Sequence, residues 1–263
     1  MPFNWGIECY KWKLTTSLIE PISYKTATKS VFAGICAGNL APGRAIEFLA
    51  KIVFFKVENR PSITVLHFIN GMFQMLITVL MGVISITYKL NSSNHSSNLI
   101  YFIIILGILL ILFFCWAIFN VSFIQKKLKF IKWFQKMDDA QNIHFTLPLI
   151  GKLLLLSILR YMAFTSQFYF IYHALCPQTP IIHVFMSISA YFMITSAVPM
   201  ISYIEPAIRA AIALFVFNNP TDIAVSVVLA STFVWIINVV VPSIIGYIVI
   251  FREKIEFKPT RAN

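Results

Sequence analysis

The chain has 263 residues, of which 59% are hydrophobic and only 12% are charged, and its formal net charge is +11. A soluble globular domain carries roughly 25% charged residues, so this composition excludes an ordinary soluble domain and leaves no room for a soluble catalytic domain. Most lysines and arginines lie beside apolar stretches, as cytoplasmic-side membrane anchors do, so the positive charge does not indicate nucleic-acid binding. The composition predicts one all-α integral membrane domain over residues 1–263.

The first 55 residues contain no uninterrupted membrane span. Residues 1–30 mix aromatic residues with lysines, and their longest apolar run is too short to cross a bilayer, which predicts an interfacial, partly helical segment on the cytoplasmic face. Residues 31–55 are long enough to cross, but polar and helix-breaking residues interrupt them. They therefore predict a re-entrant hairpin that enters from the cytoplasm. The interrupting residues are Asn39, Pro42, Gly43, Arg44 and Glu47.

Residues 62–88 and 99–121 contain no charged side chain, so each predicts a full transmembrane helix. The loop between them carries one lysine, whereas residues 122–146 carry five lysines among several aromatic residues. We expect residues 122–146 to form a cytoplasmic amphipathic segment that is attracted to anionic lipid.

Residues 147–175 predict a third span, with Arg160 close to its middle. The loop that follows has no lysine or arginine, which places it outside. Residues 183–217 are apolar but broken, and predict a second re-entrant hairpin that enters from outside. Residues 220–250 predict the last span, which leaves the basic C-terminus in the cytoplasm. The breaks in the second hairpin are at Pro199 and Pro206, beside Glu205 and Arg209.

The predicted topology repeats itself in opposite directions. The hairpin and span in residues 31–88 run opposite to those in residues 183–250, which is the inverted-repeat arrangement of many transporters. The predicted fold therefore has four full transmembrane helices plus two oppositely oriented re-entrant hairpins. Because a full span precedes only the second hairpin, we expect at least one N-terminal helix to be missing.

Charged residues inside the predicted membrane segments are the candidate substrate-binding residues. Each costs about 2.5 to 3.5 kcal/mol to insert, so such residues normally face a partner or a wet cavity. Arginine suits a phosphate headgroup because its planar guanidinium binds phosphate through two hydrogen bonds. The spacing along a helix places the charges of each hairpin on one face. The candidates are Arg44, Glu47, Lys51, Arg160, Gln167, Glu205 and Arg209.

Two interpretations of these charges stay open. The arginines bind an anionic headgroup, or each hairpin arginine only neutralises the nearby glutamate, Arg44 with Glu47 and Arg209 with Glu205. Arg160 has no acidic residue one helical turn away. It therefore pairs with Glu47 or Glu205 across the bundle, or contacts lipid directly.

The sequence shows no motif for covalent or metal-assisted catalysis. It has no serine elbow, no glycine-rich phosphate loop and no HExxH. Its four cysteines have no metal-type spacing, and the group of His173, Cys176 and His183 lacks a fourth zinc ligand. We therefore expect no catalytic residues, no metal and no cofactor.

Three stretches resemble a known family. NLAPGRAIEFLAK, AVPMISYIEPAIRAAIALFVF and NWGIECYKWKL are similar to segments of the flippase-like transmembrane domain of lysylphosphatidylglycerol synthetases and their stand-alone relatives. The resemblance implies a bacterial inner-membrane protein related to lipid translocators. It places Arg44, Glu47, Glu205 and Arg209 on motif positions. The chain departs from the family at Ala45 and Ile46, where a glycine usually precedes the glutamate, and at Lys51, where arginine is common.

The resemblance and the charged hairpins together predict translocation of an anionic or polyprenyl-linked lipid between leaflets. Synthetase activity is not implied, because the chain has no aminoacyl-transferase domain. The alternatives are a membrane-embedded lipid-modifying transferase, with Glu47 or Glu205 as a base, and a non-transporting scaffold. The expected partners are membrane lipids, and a homodimer is left open.

Overall fold

The computed structural model describes residues 1–40, 46–92, 97–136, 143–200, 204–217 and 221–253. The described residues are almost entirely helical and contain no strand, which confirms the predicted all-α class. The helices are α1 (Pro2–Thr16), α2 (Tyr24–Gly38), α3 (Glu47–Ile52), α4 (Arg60–Ser92), α5 (Ser97–Phe119), α6 (Val121–Leu128), α7 (Leu147–Leu175), α8 (Ile181–Ala197), α9 (Glu205–Phe217), α10 (Thr221–Trp235) and α11 (Val241–Arg252).

Four helices in the described part of the chain are long and apolar enough to cross a membrane, as predicted. A span needs about 20 consecutive apolar residues to cross the hydrocarbon core. The last of these helices combines α10 and α11 through a π-helical turn at Ile236–Val240. The chain is therefore a multi-pass membrane protein. The four helices span Val57–Ser92, Asn98–Phe119, Leu147–Leu175 and Ile223–Arg252.

The two predicted hairpins, residues 31–55 and 183–217, each contain two short helices. In the first, α2 packs against α3, and Pro42, Gly43 and Arg44 lie between them, outside the described residues. In the second, α8 packs against α9. Helix α8 ends before Pro199, since the residue that precedes a proline avoids the helical conformation. Pro206 lies in the first turn of α9, where proline costs no hydrogen bond.

Residues 1–30 have a more central place than the predicted interfacial segment. They form α1 and the start of α2, and α1 packs against α2, α4 and α7. The side chains of Trp5, Cys9 and Trp12 are buried in an apolar core shared with α2 and α4. Charged and aromatic residues lie close together along α1, as in an interfacial helix, but here Glu8 and Lys11 are also buried.

Residues 122–146, predicted as a cytoplasmic amphipathic segment, contain α6 and a short 3-10 turn at Phe134–Lys136, while residues 137–142 lie outside the described ranges. Phe123 and Phe130 are exposed on this segment. Helix α5 also leaves large apolar side chains exposed, as a lipid-facing helix does.

Helices cross closely where the chain places glycine. A Cβ atom at Gly246 of α11 would overlap the backbone of Phe32 in α2, and one at Gly82 of α4 would overlap Met193 in α8. Helix α2 therefore packs closely against α11, and α8 packs closely against α4. These two crossings close the bundle around its central polar residues.

Candidate functional site

A cavity of about 390 Å³ lies between α7, α8, α9 and the π-helical turn, with α1 and α4 completing its wall. Its lining contains both apolar side chains, such as Phe164 and Val234, and charged or polar side chains. Three of the predicted substrate-binding residues line it together. They are Arg160, Glu205 and Arg209.

Arg160 is held by α1. Its Nη1 atom donates to Oε2 of Glu8 at 2.7 Å, and its Nε atom donates to Oδ1 of Asn4 at 3.0 Å. The guanidinium lies over the rings of Trp5 and Phe164. The prediction that Arg160 pairs with Glu47 or Glu205 is therefore corrected, because Glu8 supplies the carboxylate. That acceptor comes from a helix the sequence placed at the interface.

Arg209 and Glu205 form an ion pair one turn apart at the start of α9. The Nη2 and Nε atoms of Arg209 each lie 2.8 Å from Oε1 of Glu205. The Nη1 atom donates weakly to the hydroxyl of Tyr191 at 3.5 Å. Glu205 is the first residue of α9, where a negative charge is stabilised by the helix dipole. The pair therefore sits at the break of the second hairpin and faces the cavity.

The first hairpin carries a matching pair. Glu47 is the first residue of α3, and its Oε1 atom lies 2.8 Å from Nζ of Lys51. Lys51 is buried, and its Nζ atom also contacts Nδ1 of His67 at 3.5 Å and lies over the ring of Trp12. Neither Glu47 nor Lys51 is among the described residues that line the cavity. Arg44, also predicted to bind substrate, is outside the described residues.

A chain of amides connects Arg160 to the π-helical turn. Asn4 donates to Oδ1 of Asn238 at 3.4 Å, and Asn238 donates to Oε1 of Gln167 at 3.0 Å. Gln167, a predicted substrate-binding residue, is not among the described residues that line the cavity, but it contacts Asn238, which is. Single π turns inside α-helices are frequent at functional sites. Asn238 lies in this π-helical turn and contacts the side-chain amides of both Asn4 and Gln167.

Three polar atoms on cavity-lining residues have no hydrogen-bond partner among the described residues. They are the indole Nε1 atoms of Trp5 and Trp235 and the Oε1 atom of Gln74, all buried. Buried polar groups are nearly always paired, so these three atoms are exceptions in the wall of the cavity. The two arginines that line the cavity favour a ligand rich in hydrogen-bond acceptors.

An apolar groove of about 340 Å³ adjoins the cavity. Glu205, Trp235 and Val239 line both. Ile244 and Tyr247 line the groove and are largely exposed on the outside of α11, so the groove opens at the side of the bundle. Asn39, one of the predicted break residues, also lines the groove, and its amide donates to the hydroxyl of Ser243.

Several residues in and around this cavity are not among the site residues predicted from the sequence. Glu8 and Trp5 were assigned to an interfacial segment, although an acidic residue among buried aromatic ones was a signal. Asn238 is a single amide inside an apolar run, and nothing in its spacing predicts a π turn. Trp235 and Tyr191 look like ordinary apolar residues of membrane helices. Only the packing of distant helices brings these side chains together.

No family model, curated protein or solved structure matches this chain. The resemblance to flippase-like transmembrane domains therefore stays a prediction. What the chain does has to be inferred from its own geometry.

Proposed function

We propose that this protein moves a lipid with an anionic, phosphate-type headgroup between the two leaflets of a membrane. The observation that carries the proposal is that Arg160 and Arg209, from two different helices, line the same cavity. A phosphate has several strong acceptor oxygens, and hydrogen bonds between ionised partners are the strongest available to it. The anion would compete with Glu8 and Glu205 for the two arginines.

The adjoining groove suits the rest of a lipid. Most of its lining residues are apolar, and they continue from the cavity along Trp235 and Val239 to exposed side chains of α11. An acyl or polyprenyl chain in this groove would stay in contact with membrane lipid while the headgroup occupies the polar cavity. This division of polar and apolar surface supports a lipid substrate over a free anion.

We also propose that the two hairpins are re-entrant and related by an inverted repeat. None of α2, α3, α8 and α9 reaches the roughly 20 residues needed to span a bilayer. The packing is reciprocal, because α2 lies on α11 and α8 lies on α4. Each hairpin begins its second helix with a glutamate paired to a cation four residues later. These matches support a transporter built from two opposed units.

The same geometry disfavours a purely architectural role for the charges. A scaffold would need only a filled core of mutually satisfied pairs, whereas here the arginines of two ion pairs line a cavity. We propose, on the resemblance and the lysine-rich loop, that the protein lies in a bacterial inner membrane with its C-terminus in the cytoplasm.

Lipid translocation in reconstituted vesicles tests the proposed function. Phosphatidylcholine vesicles would carry a trace of fluorescent phosphatidylglycerol, and dithionite would quench the outer-leaflet label. We expect the wild-type protein to expose the inner-leaflet label. The double variant Glu205→Gln/Arg209→Gln, which removes the pair without leaving one buried charge, should slow translocation at least about tenfold, since a charged hydrogen bond contributes ~1.5–3 kcal/mol.

The matched control is Lys152→Gln, which removes an exposed cation of α7 that does not line the cavity. This variant should translocate lipid as the wild type does. A fluorescent polyprenyl phosphate in place of phosphatidylglycerol would separate the two substrate classes. Absence of translocation for every anionic lipid, or equal rates in the double variant and the wild type, would contradict the proposal.

A further inference from the structure

Lys11 on α1 is a buried cation that the cavity does not explain. Its side chain has no exposed surface, and its Nζ atom has no hydrogen-bond partner among the described residues. A buried ammonium group without a partner is strongly unfavourable, so such groups lose their proton or gain a counter-charge. A buried Lys11 is therefore neutral, or it gains a counter-charge when it binds a proton.

The charges that face Lys11 come from three helices. Glu8 lies one turn earlier on α1, Arg160 acts on Lys11 from α7, and Lys51 acts on it from α3. Lys51 is itself paired with Glu47. Two residues of α4 also belong to this group: His67 contacts Lys51, and Asn70 contacts Glu8. From α2, the hydroxyl of Ser30 donates to the backbone carbonyl of Lys51.

Both carboxylates in this group are already engaged. Glu8 binds Arg160 through Oε2 and accepts from Nδ2 of Asn70 at 3.3 Å through Oε1, while Glu47 binds Lys51. Among these described side chains, a neutral Lys11 leaves two balanced ion pairs. A protonated Lys11 adds one positive charge that no carboxylate balances. An anion bound at Arg160 would supply the missing negative charge.

The acid–base properties of α1 agree with this charge count. Burial lowers the pKa of Lys11 to about 8, although Glu8 opposes the shift. Burial alone would raise the pKa of Glu8, but the positive charges of Arg160, Lys11 and Lys51 outweigh it and hold that pKa at about 2. Glu8 thus stays ionised over the range in which Lys11 gains or loses its proton.

We propose that Lys11 is a proton-binding site coupled to the headgroup site, so that the protein binds an anionic headgroup at Arg160 together with a proton at Lys11. The proton comes from water and ends on the Nζ atom, which turns the amine into an ammonium. Protonation draws Glu8 toward Lys11 and loosens its bond to Arg160, which frees the guanidinium for the anion. By linkage, each of the two ligands then raises the affinity for the other. This inference rests on the proposed function.

Calorimetry can count the protons directly. The protein in phosphatidylcholine nanodiscs would be titrated with dihexanoyl phosphatidylglycerol, in two buffers of different ionisation enthalpy. At about pH 9, where most free Lys11 is neutral, we expect an uptake of about 0.5 to 1 proton per bound ligand. At about pH 6 the uptake should vanish, because Lys11 is then protonated before the ligand binds.

The decisive variant is Lys11→Met, which has a similar length and no titratable group. It should bind the ligand without proton uptake at about pH 9, whereas Lys13→Met, on the same helix but partly exposed, should match the wild type. Binding with no uptake in the wild type, or with undiminished uptake in Lys11→Met, would overturn the coupling and leave the proposed function intact. Failure of the wild type to bind the ligand would overturn both. The wild-type comparison of the two pH values holds even where Lys11→Met does not fold.

Discussion

Glu8 and Arg160 lie 152 residues apart in the chain and form an ion pair between α1 and α7. A charge near the middle of a span is tolerated only with a partner or water. The side chains of both residues are largely buried, with exposed fractions of 14% for Arg160 and 8% for Glu8. Loss of either partner would leave the other charge buried, and Arg160 also lines the cavity.

Glu8→Gln tests the contribution of this pair to stability. The variant leaves the Arg160 charge buried without its carboxylate, so we expect the free energy of unfolding to fall by about 3 kcal/mol. Unfolding by sodium dodecyl sulfate in mixed micelles, followed by circular dichroism, would measure it. The double variant Glu8→Gln/Arg160→Gln should recover most of the loss, because no unpaired charge remains.

The exposed pair of Lys29 and Glu253 provides the matched comparison. Its side chains are 32% and 38% exposed, so water screens the attraction between them. Glu253→Gln should therefore change the free energy of unfolding by less than about 1 kcal/mol. A Glu8→Gln effect as small as that of Glu253→Gln would show that Arg160 finds another partner or is hydrated.

At the scale of the helices, the sequence predicts where helices are interrupted better than it predicts which helices pack against each other. Prolines and charged residues interrupt both predicted hairpins in the sequence. Helix α8 ends just before Pro199, and α9 begins with Pro206 in its first turn. The close crossing of α2 and α11 has no comparable signal, because Gly246 is one glycine in an apolar run. Its role depends on which helix lies against it.

Gly246→Ala tests that crossing. The added Cβ atom would overlap the Phe32 carbonyl and the Cys36 side chain, and backbone atoms cannot move aside without separating the helices. We expect a loss of about 1–3 kcal/mol in the free energy of unfolding, as overpacking typically costs. Detergent unfolding would measure this change.

Gly151→Ala is the control for the effect of alanine itself. Gly151 lies inside α7 with no atom within 4 Å of an added Cβ. Because alanine favours the helix over glycine by up to about 1 kcal/mol, this variant should be neutral or slightly more stable. Equal effects at Gly246 and Gly151 would contradict a tight contact between α2 and α11.

At the scale of the whole molecule, hydropathy and charge were enough to predict the four spans, because each is a local property of about 20 residues. They were not enough for α1, which is too short for a span and is buried only because α4 and α7 surround it. The cavity also could not be predicted, since Arg160, Trp235 and Glu205 come from three helices. The relative placement of helices depends on side-chain packing between distant segments, which a single sequence does not reveal.

The proposed opposite orientation of the two hairpins concerns the whole molecule, and cysteine labelling can test it. Three positions would each receive one cysteine in a background in which the four native cysteines are replaced: Glu58→Cys beyond the first hairpin, Gln178→Cys before the second, and Lys132→Cys in the lysine-rich segment. All three side chains are exposed. In right-side-out membrane vesicles, an impermeant maleimide should label Gln178→Cys directly, and the other two only after permeabilisation, because positive loops stay in the cytoplasm. Labelling of Glu58→Cys and Gln178→Cys from the same side would contradict the inverted repeat, with Lys132→Cys marking the cytoplasmic side.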